Sequence, residues 1–136
     1  MILQDLKYLK IELKEAPIKH LVTTWDGFTP KEQFLKGINM ILEQLHQHQV
    51  KHVLNDIRKH KVIGVDSQNE AAEKVKAYVM RNGLFKQAML LSADAFIIFG
   101  SKRFDEQLQE SVKDEINQFF DTEDKAMAWL VSQNLD

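Results

Sequence analysis

The hydrophobic period of this chain switches repeatedly between two and about 3.6, and that switching restricts its fold more than any single residue does. Leu9, Ile11 and Leu13 alternate with Lys10, Glu12 and Lys14, the pattern of a strand with one wet face. Ala16-Pro17 interrupts it. A second strand, about Ile18 to Trp25, follows closely enough to form a hairpin. Asp26-Gly27 turns the chain. Thr29-Pro30-Lys31-Glu32 then has the form of a capping box with proline in the first turn. Phe34, Ile38, Ile41, Leu42 and Leu45 recur at helical spacing. Gly37 sits inside that helix at a cost of about 1 kcal/mol against alanine, which implies close packing on the sheet.

The cycle repeats downstream. Val50 to Ile57 reads as a third strand, Arg58 to Asp66 as a polar loop, and Ser67-Gln68-Asn69-Glu70 as a second capping box. Ala71, Ala72, Val75, Tyr78 and Val79 give the next helix its inner face, and Gly83 stands where a C-terminal cap belongs. Phe85 to Leu91 reads as a fourth strand. Ala95-Phe96-Ile97-Ile98-Phe99 alone fits a strand, but with Phe104, Leu108 and Val112 it extends as a helix capped at Ser92 or Asp94. The helix, Ala95–Gln107, is the reading adopted. Ile116 to Phe120 is a short fifth strand. Thr122 opens a last helix, with Glu123 and Asp124 near its positive end and Ala126, Trp129 and Leu130 facing inward. The pattern predicts an α/β domain. Its sheet is mixed, mostly parallel and five-stranded, with an N-terminal antiparallel hairpin and about four helices.

Composition narrows the function classes. At 136 residues the chain matches a common single-domain size, and 1–136 is read as one domain. The net charge of -2, with signs mixed along the chain, lacks the basic footprint of a nucleic-acid binder. The absence of cysteine excludes disulfides and thiol chemistry, and it fits a cytoplasmic location. No stretch approaches the ~20 apolar residues of a membrane span, and Met1 to Lys14 lacks the apolar core of a targeting segment. Neither a Gly-x-Ser-x-Gly elbow nor a glycine-rich phosphate loop is present. His46, His48 and His52, with His60 nearby, gather around a helix-to-strand junction. His46 and His48, however, would diverge on a helix, so a polar turn is expected and not a zinc site. Asp105-Glu106 and Glu123-Asp124 read as solvated helix surfaces. No catalytic residue, metal or cofactor is therefore expected, and the chain is not read as an enzyme.

Several short pieces carry a family resemblance. They are the Trp25-Asp26-Gly27 turn before the first helix, the Leu54-Asn55-Asp56-Ile57-Arg58 strand end, and Phe119-Phe120-Asp121 leading into Ala126-Met127-Ala128-Trp129-Leu130. In their order and spacing the chain resembles the bacterial SpoIIAA-like group of the STAS-like superfamily, whose fold is also compared with CRAL-TRIO lipid-binding domains. The resemblance implies a regulatory or protein-binding module, with a regulatory kinase or a sigma-regulatory protein as partner. In anti-sigma-factor antagonists of that superfamily a serine opening the helix after the third strand is phosphorylated, and Ser67 looks like the corresponding position. Where the family has a second hydroxyl residue and then glycine, this chain has Gln68 and Asn69.

Three places are candidates for function. Ser67 is a candidate phosphorylation or partner-docking residue, set against a plain helix-capping role with Glu70. Asp56 and Arg58, with Ser92 at the end of the next strand, lie where open α/β sheets bind ligands; the plainer reading is a surface pair that shapes a loop. Phe96, Ile97, Ile98 and Phe99 cannot all face one side of a helix. They therefore meet neighbouring core, a second copy in a homodimer, or an apolar ligand. The last option is the alternative function: a small-molecule or lipid carrier with a cavity under Ala95–Gln107.

Overall fold

The structure, a computed structural model, describes residues 1–61, 64–93, 95, 116–133 and 135. Among the described residues six strands make one sheet: β1 (Ile2–Asp5), β2 (Leu9–Lys14), β3 (His20–Gly27), β4 (His52–His60), β5 (Lys86–Leu90) and β6 (Asn117–Phe120). They lie side by side in chain order. β1, β2 and β3 run antiparallel, and β3 through β6 run parallel. Three helices are described: α1 (Lys31–Gln47), α2 (Val65–Asn82) and α3 (Glu123–Ser132). The expected α/β mixed sheet and hairpin are present, but the sheet has six strands and not five. The added strand is β1, a short edge strand with a bulge between Ile2 and Gln4, too brief to show a period of its own. The expected helix over 95–107 lies outside the described residues apart from Ala95.

Side-chain alternation sorts the sheet into two faces. Leu9, Ile11 and Leu13 stand opposite Trp25, Thr23 and Leu21 in register. Together with Val53 they form one core beneath α1 and α2, which contribute Phe34, Ile41, Leu45 and Ala71. The opposite face is smaller. Leu54, Ala88 and Leu90 pack there against Ala126 and Leu130 of α3. Because the strands follow one another in chain order and α1 and α2 share a face, both β–α–β crossovers have the same hand, as twisted strands require.

Helix starts differ from expectation. The N-cap of α1 is Pro30, and no side chain caps it. Thr29 is buried, and its hydroxyl bonds His60 Nε2 at 3.0 Å, which removes it from capping. α2 begins at Val65 with Gly64 as N-cap, so Ser67 is its third residue and not the cap. Glu70 bonds Lys31 at 2.6 Å, tying the starts of α1 and α2 together. Thr122 does cap α3 as expected, accepting the Lys125 N–H at 3.3 Å. The end of α3 has no basic residue of its own. The start of β4 and the residue before it supply the missing donors: His52 Nε2 donates to the Gln133 carbonyl at 2.6 Å, and Lys51 Nζ to that of Leu135 at 3.1 Å. No helix among the described residues is long and apolar enough to cross a membrane.

Candidate functional site

The carboxyl ends of β3 and β4 hold most of the unusual chemistry of the described residues. β4 was expected to stop at Ile57, with a polar loop from Arg58. It continues to His60, because Lys59 and His60 pair with Asp26 and Gly27 of β3. Between the Thr24–Asp56 and Asp26–Lys59 pairs, β4 carries one residue more than β3. Such a bulge inverts the alternation beyond it. An unbroken strand would put His60 on the face of Asp56; the bulge turns it toward Trp25 instead.

His60 then completes an aromatic cluster. Its ring stacks on Trp25 at 4.9 Å and 18°, and lies 5.9 Å from Phe34. Phe34 meets Trp25 at 5.2 Å. Burial pushes the His60 pKa down to about 4, so the imidazole is neutral near pH 7. Gly37 of α1 lies directly over Trp25, where a Cβ would stand 2.5 Å from Cη2. Close approach of the helix to the sheet therefore needs glycine, as its cost within the helix implied. Trp25 and Phe34 are buried and His60 is half-buried, whereas two large apolar residues of the neighbouring chain segments are exposed. Phe28 is 69% exposed and Val65 58%, one after β3 and the other opening α2. Lys61, after β4, donates its N–H to the Gly27 carbonyl at 3.1 Å.

The sequence candidates fall on different faces. Asp56 and Arg58 form a two-pronged pair at 3.0 and 2.8 Å, and the Arg58 backbone N–H adds a bond of 3.1 Å to Asp56. Asp56 stands beside Leu90 in register, hence on the α3 face. Ser92 accepts the Ala95 N–H at 3.2 Å, the bond expected of a cap at that position. Ser67 belongs to α2 on the opposite face and is only 8% exposed. A phosphate there requires the first turn of α2 to open. Ser67→Asp is expected to lower stability by about 2 kcal/mol, since burial of the carboxylate outweighs the favourable helix N-terminus. Ser67→Ala should change it by less than about 1 kcal/mol. Urea unfolding of the two variants checks this pair. Phe96 and Phe99 lie outside the described residues.

The histidines do not converge. His20 bonds the Ile18 carbonyl, His52 that of Gln133, and His60 the Thr29 hydroxyl. Among the described residues, no group of three or more His, Asp or Glu side chains is placed to hold a metal. A buried polar relay was not foreseen. Thr23 donates to Asn55 Oδ1 at 2.7 Å, and Asn55 Nδ2 to Met89 Sδ at 3.5 Å, linking β3, β4 and β5 beneath α1 and α2. The run Leu54-Asn55-Asp56 gives no sign of this, because pairing across strands and not local pattern places Asn55 opposite Thr23.

No protein-family model matches the chain, and no curated protein matches it in sequence. Its fold is similar to the crystal structure of an uncharacterized protein of the DUF3478 family, with a SpoIIAA-like fold, from Shewanella loihica PV-4. The TM-score is 0.62 at 13% identity, covering 93% of this chain and 97% of the other. The chain thus has a SpoIIAA-like α/β fold.

Proposed function

We propose that this domain is a non-enzymatic, cytoplasmic protein-binding module of the SpoIIAA-like type, docking a regulatory protein through the corner at the carboxyl ends of β3 and β4. The observation that carries this reading is the contrast within that corner. Its polar side chains are engaged with one another: Thr29 with His60, and Lys31 with Glu70, while Asp56 and Arg58 pair with each other on the opposite, α3 face. Phe28, directly after β3, and Val65, the first residue of α2, present large apolar side chains to solvent. Groups already paired in this way are poor candidates for acid, base or nucleophile. Exposed apolar residues on a rigid base suit an interface core. A kinase or sigma-regulatory protein is the partner class that the family resemblance implies, and Ser67 is the proposed position for a regulatory phosphate.

Affinity capture with the wild type, Phe28→Asp and Val131→Asp tests the reading. Val131 is an exposed apolar residue on α3, away from the corner. Phe28→Asp should weaken capture of any specific partner at least about tenfold, as expected for an interface anchor, while Val131→Asp leaves it unchanged. Equal loss in both, or a co-purifying apolar small molecule and no partner, would favour the carrier reading.

A further inference from the structure

We propose that His60 is an acid-sensitive lock on the corner where β3, β4 and the start of α1 meet: when its imidazole takes up a proton, this corner loosens while the rest of the sheet stays folded. The lock is independent of what the domain binds. Its basis is the slot that holds the ring. Trp25 of β3 covers one side at 4.9 Å, Phe34 of α1 lies 5.9 Å away, and the Thr29 hydroxyl takes Nε2 at 3.0 Å. One imidazole thus joins three elements. A neutral ring suits aromatic walls and a hydroxyl, which donates or accepts as needed.

A protonated ring would need a counter-charge, and the charged groups around it are placed otherwise. On β3, Asp26 is exposed and stands opposite Lys59 in register. On α1, Lys31 is bridged to Glu70 of α2. Asp66 is exposed in the first turn of α2, and Lys61, next to His60, has the wrong sign. Loss of hydration alone accounts for the lowered His60 pKa. The face of Trp25 returns part of the cost through cation–π attraction.

The direction follows from proton linkage. In the opened corner His60 titrates near its ordinary 6.5, and in the closed corner at about 4. Between those values the opened form holds more protons, so falling pH drives opening. Above 6.5 the lock is fully set, and below about 4 the effect saturates. In the window, the opening equilibrium rises by about tenfold per pH unit at most, and by less where solvent reaches the ring.

Hydrogen exchange, corrected for the intrinsic rate, tests this from pH 7 to 5 on the wild type, His60→Gln and His60→Phe. The reporters are the Lys61 amide, bonded to Gly27, and the Phe34 amide, bonded to Pro30. In the wild type their protection should fall by about tenfold between pH 7 and 5, while amides of the β2–β3 ladder hold theirs. Both variants should show no such slope, whatever their absolute stability. If a variant does not fold, ring titration of His60 by NMR in the wild type decides. A midpoint well below 6.5, with exchange rising as pH falls, supports the lock; a midpoint near 6.5 overturns it. So does a flat wild-type profile, or the same slope in a folded variant.

Discussion

Trp25→Ala is expected to lower stability by about 3–5 kcal/mol, the range for removing a large aromatic side chain from a packed core. Trp25 is 1% exposed, and its indole meets Phe34, His60 and, at 6.4 Å, Tyr8. Truncation leaves a cavity and also separates the groups that join β3, α1 and β4. Gly37 above it has no side chain with which to collapse into the space. Trp25→Phe should recover part of the loss. Trp129 provides the comparison: it is only part-buried, against Phe120 at 5.7 Å, so Trp129→Ala should cost roughly 1–2 kcal/mol. Urea unfolding of the three variants measures the difference.

Gly37→Val is expected to cost about 3 kcal/mol, although valine forms a helix better than glycine. A Cβ at this position meets Trp25 Cη2 at 2.5 Å, Leu9 Cδ2 at 3.0 Å and Trp25 Cζ3 at 3.1 Å. The Leu9 methyl can swing aside, but the fused indole ring cannot bend. Relief requires α1 to rise off the sheet, which would weaken the contacts of Phe34 and Ile41. Gly37→Ala gains about 1 kcal/mol in helix propensity and loses more to overpacking, for a net loss of about 1–2 kcal/mol. Combined with Trp25→Phe, the alanine should cost less than the sum of the two changes, because the smaller ring vacates the space its Cβ needs.

Much of this architecture is legible in the sequence because burial imposes a period. Leu9, Ile11 and Leu13 reveal a half-buried strand, and Phe34, Ile41 and Leu45 a helix over a sheet. Local capping patterns were less reliable because tertiary partners compete for the same oxygens. Thr29 bonds an imidazole brought to it by β4, and Ser67 lies inside the first turn of a helix that starts earlier, after Gly64. Arg58, Lys59 and His60 have the composition of a loop, yet pairing with β3 draws them into the sheet. The bulge there decides which way His60 faces, and no sequence pattern marks it. The Asp56–Arg58 pair could be placed at a strand end, whereas its self-closed geometry depends on side-chain torsions.

A protein partner that docks at the β3–β4 corner must touch Phe28. Photo-crosslinking tests this most directly, with benzoylphenylalanine placed singly at Phe28 and at Val131 in the full chain. Docking at this corner gives one specific protein adduct from position 28, lost on Val65→Asp, and none from position 131. Adducts from position 131 alone, or an adduct at position 28 that survives Val65→Asp, would contradict it.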